Sequence, residues 1–324
     1  MQKKIYLAEL RWYCAGVHRA INILNKAIKQ FPTPIYVNHE IIHNKYIINY
    51  YEKKWIIFGE YLEKIPENSL MIMSAHWVGP EFIKKVKQKN IKYIDASCPL
   101  VVKVHNEAKR FLNEWYEIIY IWKKSHQEAE WIKEENPKKI HIISKIEDLD
   151  QLSSFNIKGS TLEERKGNGL LNNKLALLTQ TTLSVIETKD LIEKIKQKFP
   201  NIVLPKAKDI CYATTNRQEA VIELCKKNLD LLIIVGSKNS SNSNKLKEIW
   251  EKNNIKSILI DSSKDLKEIN ISDYKNIWIS SWASAPDILV KEVLDFFKNN
   301  YNTEKEIVKT IKENMVFPSN LEIK

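Results

Sequence analysis

The sequence predicts an α/β protein with parallel sheets. Short runs rich in Ile, Leu and Val alternate with longer stretches whose apolar residues recur at helical spacing, the signature of strand–helix–strand units. Polar residues follow the ends of several of these runs, where open parallel sheets collect their ligands. In chain order the reading gives strand Lys4–Leu7, helix Val17–Lys29, strands Ile35–Val37 and Leu70–Met73, helix Glu81–Lys87, strand Tyr93–Ile94 and helix Val101–Asn113. Strands Ile118–Ile121 and His141–Ile143 follow, and then Gln151–Asn173, whose Ser, Gly and charged residues read as a loop or an insertion. After it come strand Leu175–Leu178, helices Ser184–Lys198 and Arg217–Lys227, strand Leu231–Val235, helix Asn244–Glu251, strands Ile258–Ile260 and Ile277–Ser280, and helix Ala285–Lys298. The tail after Asn299 is polar and reads as a segment that wraps or caps the body.

Bulk properties narrow the function classes. A chain of 324 residues with 44% hydrophobic content has room for two or three cores. Its longest core-like run, Leu231–Val235, is strand-sized rather than membrane-sized, and Met1-Gln-Lys-Lys-Ile-Tyr-Leu is too poor in apolar residues for a secretory signal, so the protein reads as soluble and cytoplasmic, with no membrane partner. Four cysteines in a chain of this size do not make a disulfide scaffold. Cys225, in Val221-Ile-Glu-Leu-Cys225, fits an inert buried thiol. The net charge of +11 would suit nucleic acid or an anionic substrate. The basic residues are mostly lysine and scattered, and no nucleic-acid motif accompanies them, so a composition set by AT-rich coding explains the charge better than a nucleic-acid footprint.

The remaining three cysteines each stand at an expected strand-to-helix junction: Cys14-Ala-Gly, Asp95-Ala-Ser-Cys98-Pro and Asp209-Ile-Cys211-Tyr-Ala-Thr-Thr-Asn-Arg-Gln. Three thiolates from distant parts of one chain can share an iron–sulfur cluster and leave one iron without a protein ligand, although Cys-X-X-Cys spacing is absent and spacing alone is a weak signal. Other words recur beside them: Val37-Asn-His-Glu-Ile-Ile-His43-Asn, Ser74-Ala-His76, Ser125-His126-Gln-Glu128, Thr179-Gln-Thr181-Thr-Leu-Ser, Gly236-Ser-Lys-Asn-Ser240-Ser241-Asn242-Ser-Asn and Ala283-Ser284-Ala-Pro-Asp. Imidazole, hydroxyl and amide donors at loops that open helices suit an anionic ligand.

Taken together, these words resemble the 4-hydroxy-3-methylbut-2-enyl diphosphate reductase family nearly from end to end. The resemblance implies three α/β lobes in a pseudo-threefold cloverleaf around a central iron–sulfur cluster: residues 1–15 as a strand joining the third lobe, 16–98, 99–207 and 208–298 as the lobes, and 299–324 as a tail. It implies one [4Fe-4S] cluster per chain held by Cys14, Cys98 and Cys211, with the open iron facing the substrate's allylic hydroxyl. His43, His76, His126, Thr181, Ser240, Ser241, Asn242 and Ser284 would line the substrate site, with Glu128 as proton donor and Thr181 beside the hydroxyl in its relay. An external one-electron donor such as a flavodoxin or ferredoxin is implied, since no flavin or nicotinamide fingerprint is present. A non-catalytic homologue that kept its iron–sulfur or diphosphate site is the rival reading. The retention of the cysteines together with His43, His76, His126, Glu128 and Asn242 speaks against it.

One anomaly stands apart. The chain holds 9 tryptophans and only 7 glycines, and glycine is about a third as frequent as its usual ~7%. The resemblance implies glycine where this chain has Trp12, Trp77, Trp122 and Trp282, and commonly also at Trp55, Trp115, Trp131 and Trp278. Either UGA codons decoded as glycine are written as tryptophan, or these are real tryptophans in a diverged enzyme. Other departures, His18, Lys123, Ser125 and Gln127 in place of an acidic residue, a frequent His, a Gly and a Pro, have no such explanation.

Overall fold

Local sequence forces most elements directly. In a computed structural model, which describes residues 2–59, 62–122, 128–149, 174–206, 209–224, 229–237, 255–309, 311 and 313–324, strand β1 (Lys3–Ala8) leads to helix α1 (Ala15–Gln30). Helix α1 forms because Ala20, Ile21, Ile23, Leu24 and Ala27 make one buried face, and it stops where Phe31 turns extended with its N–H on the Ala27 carbonyl. Next come β2 (Ile35–Asn38), α2 (Lys45–Glu52), β3 (Ile56–Gly59), β4 (Leu70–Met73), α3 (Pro80–Gln88) and β5 (Lys92–Asp95). The chain continues through α4 (Pro99–Asn113), β6 (Tyr116–Ile121), α5 (Glu128–Glu135), β7 (Ile140–Ile143), β8 (Lys174–Thr179), α6 (Val185–Lys198) and α7 (Tyr212–Leu224). Last are β9 (Leu231–Val235), β10 (Lys256–Ile260), β11 (Asn276–Ser281), α8 (Asp287–Asn300) and β12 (Thr303–Val308), with short 3-10 turns at Leu62–Lys64 and Ser263–Glu268.

The strands form three sheets, ordered β10-β9-β11-β1-β12, β3-β2-β4-β5 and β7-β6-β8. Every pairing within them is parallel. The α/β reading with parallel sheets is therefore what the chain adopts. The chain divides into two units, one of residues 1–75, 90–98 and 215–324, the other of 76–89 and 99–214. The first unit holds the five-stranded and four-stranded sheets, and the second holds the three-stranded sheet.

Strand β9 shows why the five-stranded sheet is covered on both faces. Leu231, Ile233 and Val235 pack into one apolar cluster with Leu289, Val290, Val293 and Phe297 of α8. Leu232 and Ile234 pack into another with Trp278 and Trp282. A strand buried on both sides has no polar alternation, which is why Leu-Leu-Ile-Ile-Val is apolar throughout. At the start of β1 the buried ammonium of Lys3 donates to the carbonyls of Ile271, Ser272 and Tyr274 at 2.8, 3.1 and 2.6 Å. Burial holds its pKa below the usual lysine value.

All ten expected strands are present. Strands β3 and β12 and helices α2 and α5 were not expected. β12 is an edge strand, Thr-Glu-Lys-Glu-Ile-Val, whose charges protect an open edge and read as a polar tail. The tail's end forms an antiparallel bridge from Ile323 to Ile94, with N–H donors exchanged between Tyr93 and Lys324 at 3.1 and 2.9 Å. Helix α2, Lys-Tyr-Ile-Ile-Asn-Tyr-Tyr-Glu, buries only Ile47 and Tyr51, and its β-branched and aromatic residues are weak helix formers. Helix α7 begins at Tyr212, five residues before the expected Arg217. The expected loop Gln151–Asn173 and helix Asn244–Glu251 lie outside the described residues.

Candidate functional site

In all three sheets the residues singled out fall just beyond the carboxyl ends of strands. Cys14 follows β1, His43 follows β2, Ser74 and His76 follow β4, Cys98 follows β5, Thr181 follows β8 and Ser284 follows β11. This is the edge at which open parallel sheets bind ligands.

The three cysteines stand at the residues immediately before α1, α4 and α7. A helix N-terminus favours negative charge, which suits a thiolate. All three are half-buried and free of disulfides. In the first unit Cys14 and Cys98 border one space, and Gly16 is what lets them. A Cβ built on Gly16 would lie 2.5 Å from Cys98 Sγ and 3.9 Å from Cys14 Sγ. Any side chain there would collide with the Cys98 sulfur.

The loop that carries Cys14 is tied down from several sides within the same unit. Ser281 Oγ, at the end of β11, donates to the Arg11 carbonyl. The Arg217 guanidinium, 2% exposed, donates through Nη2 to the Trp12 carbonyl at 2.7 Å and through Nη1 to Glu313 of the tail at 3.1 Å. On the Cys98 side, the Cys98 N–H donates to the Ala75 carbonyl at 2.9 Å, and Arg19 donates to the Ser97 and Asp95 carbonyls at 2.9 and 3.1 Å. His43 Nδ1 lies 3.0 Å from Glu40 Oε2, and the buried Ser284 donates its hydroxyl to the His43 carbonyl at 3.3 Å. His43 is thereby joined to Ser284, its fellow candidate from another sheet of this unit.

In the second unit the loops bearing Thr181 and Cys211 are stitched together. Cys211 N–H donates to the Thr181 carbonyl at 2.9 Å, and Thr179 N–H donates to the Asp209 carboxylate at 3.0 Å. Lys103 stands 3.6 Å from the other Asp209 oxygen. Burial pushes the Asp209 carboxyl up to about 6, against the opposing pull of the Thr179 N–H and Lys103. The Thr214 N–H reaches Cys211 Sγ at 3.4 Å, an N-cap bond made by sulfur. His76 begins the turn before α3, and beside it the Trp77 ring stacks on the buried His105 with centroids 4.8 Å apart.

Among the described residues no three His, Cys, Asp or Glu side chains converge as a metal-ligand group. Cys14 and Cys98 meet in the first unit, and Cys211 belongs to the second. His126, Ser240, Ser241, Asn242 and Cys225 lie outside the described residues. Glu128 is the first residue of α5, and its side chain is also outside them. No helix among the described residues is long and apolar enough to cross a membrane. Sequence reading missed Arg217, Glu313, Arg19 and Asp209 as supports. Asp209 and Arg217 lie inside the Cys211 word, so their place in that word was the available signal; Arg19 and Glu313 had none.

Fold and site together define a class: an α/β protein of parallel sheets with Cys14, Cys98 and Cys211 at helix N-termini beyond the strand ends, none of the three in a disulfide. The chain belongs to the LytB protein family, whose model matches residues 5–298. It is 42% identical over 316 residues to the 4-hydroxy-3-methylbut-2-enyl diphosphate reductase of Wigglesworthia glossinidia brevipalpis, covering 94% of this chain and 95% of that one. Its structure matches that of the E-1-hydroxy-2-methyl-but-2-enyl-4-diphosphate reductase from Plasmodium falciparum with TM-score 0.86 and 34% identity, over 99% of this chain and 96% of the other. A second solved structure, of (E)-4-hydroxy-3-methyl-but-2-enyl diphosphate reductase, the terminal enzyme of the non-mevalonate pathway, matches with TM-score 0.63 and 25% identity, over 92% of this chain and 100% of that one.

Proposed function

We propose that this protein is an oxidoreductase that converts 4-hydroxy-3-methylbut-2-enyl diphosphate to isopentenyl and dimethylallyl diphosphates, the last step of the non-mevalonate isoprenoid route. The allylic C–O bond breaks, two electrons and two protons enter, and the oxygen leaves as water. Cys14, Cys98 and Cys211 would hold a [4Fe-4S] cluster, which when bound supplies the electron transfer; soft thiolate donors are what such a cluster requires. The observation that carries the reading is the space shared by Cys14 and Cys98, kept open by Gly16.

The chain's own residues supply binding and protons. His43, with Nδ1 against Glu40, Ser284, shortly before α8, and His76, before α3, are the described members of a diphosphate cradle that His126, Ser240, Ser241 and Asn242 would complete. Glu128 would give a proton to the leaving hydroxyl, relayed through Thr181, whose backbone the Cys211 N–H already fixes. A low-potential one-electron donor of the ferredoxin or flavodoxin class would feed the site. Such donors are acidic, and the net charge of +11 would steer them. The three-lobe division at 16–98, 99–207 and 208–298, with the strand from 1–15 and the tail 299–324 attached, and a cytoplasmic location belong to the same proposal.

The test is Glu128→Gln. Turnover of the allylic diphosphate falls by about 100-fold or more, as for removal of a general acid, while the visible and paramagnetic resonance spectra of the cluster stay those of the parent. Loss of the cluster spectrum in that variant would overturn the role given to Glu128.

A further inference from the structure

We propose that the cell that makes this protein inserts glycine at positions 55, 77 and 115, reading as glycine a codon, UGA, that is here rendered as tryptophan. Backbone conformation carries the inference. Trp55, Trp77 and Trp115 have φ of 62°, 73° and 67°. The other non-glycine residues in this region among those described are His39, Asn68 and Asn90. Asn and His are the side chains that tolerate left-handed backbone, whereas a bulky residue there is an outlier. No described Phe or Tyr adopts it, although the chain has 9 and 13 of them. The left-handed positions are thus filled by tolerant residues and by tryptophan alone.

Two of these tryptophans gain little from packing. Trp55 and Trp115 are 73% and 78% exposed, unlike a residue type that is highly buried on average. Trp115 has Lys139 Nζ 4.8 Å from its ring centre, and Trp55 leads straight into β3. Both stand just past a helix, with N–H groups donating to the carbonyls of Glu52 and Leu112 at 3.0 and 3.1 Å. This is the position at which helices end on a left-handed glycine. Trp77 is held differently, and no better. Its indole N–H is shut off from solvent with no acceptor, and a buried donor left unpaired is costly.

The three positions share a backbone that glycine adopts freely, and their side chains make few contacts, with Lys139 at 115 and with His105 and Lys109 at 77. Composition agrees, since tryptophan outnumbers glycine by 9 to 7. Position 77 touches the functional reading. Glycine there takes the indole off the face of His105 and leaves that space to the loop bearing His76, which we assign to the substrate.

The experiment is peptide mass spectrometry of the protein isolated from its source, covering residues 55, 77 and 115. Glycine at all three is the expected result, and tryptophan at any one overturns the proposal. This readout is independent of activity, so failure of the reductase assignment leaves it standing, and the reverse holds too. A second measurement compares the chain with tryptophan at the three positions against one with Trp55→Gly, Trp77→Gly and Trp115→Gly together, both produced under the standard code. The glycine form should melt higher and bind iron in fuller stoichiometry. An equal or lower melting temperature with unchanged iron would count against glycine as the residue this backbone selects.

Discussion

The turn that follows α3 and the turns that follow α2 and α4 share one backbone and differ in side chain. Asn90, between α3 and β5, has φ 54°, and Trp55 and Trp115, between α2 and β3 and between α4 and β6, have φ 62° and 67°. In each case a helix ends, one residue turns left-handed, and the chain enters a parallel strand almost at once. Asn90 can adopt this conformation at modest cost because a short amide side chain is able to bond locally. An indole has no such recourse. The αβ connection is therefore imposed by helix and strand geometry, and the residue occupying it either fits or strains.

A different kind of glycine sets the upper limit of the comparison. Gly16 is required by contact rather than by φ, and Gly16→Ala puts a methyl 2.5 Å from Cys98 Sγ. It should reduce bound iron per chain by more than half after reconstitution, measured by iron assay. Full iron content would show that the two thiols need no shared space. Next in size, Asn90→Trp should lower the stability of the iron-free protein by about 1–2 kcal/mol in urea unfolding, the cost of a left-handed bulky residue. No change would mean that this turn accepts an indole as readily as an amide. Trp55→Gly or Trp115→Gly should each raise stability by about 1 kcal/mol for the same reason, with Trp115 gaining less because its contact with Lys139 is lost. A loss in both would mean that the indoles pack better than their exposure indicates. The smallest effect sharpens the contrast. Trp131 lies inside α5 and has no positive φ, so Trp131→Gly relieves no backbone strain and should lower stability rather than raise it, by about 0.5 kcal/mol or more.

How much could be read in advance follows the same physics. The apolar strand Leu231–Val235 and the buried stripe of α1 were legible because burial writes itself as period and composition. β12 was not, because an edge strand is made of what edges need, here Glu304, Lys305 and Glu306 in succession. The cysteines were legible as words, but the meeting of Cys14 and Cys98 across Gly16 is a tertiary fact that no spacing encodes. Asp209 and Arg217 sat in plain view within the Cys211 word. Their roles depend on Thr179, Lys103, Trp12 and Glu313, partners drawn from far along the chain.

The place of β1 in its sheet has a consequence for how the protein is made. Its two neighbours, β11 and β12, come from the other end of the chain. Lys4 leaves the ribosome and waits for Asn276, its partner in register. At synthesis rates of about 5–20 residues per second that wait is roughly 15–50 s. Throughout it Ile5 and Leu7, 1% exposed in the finished fold, have no sheet to enter, and the bonds from Arg217 and Ser281 to the loop that delivers Cys14 do not yet exist. In the cluster proposed above, Cys14 would be the first ligand synthesised and among the last positioned, so iron loading would follow translation.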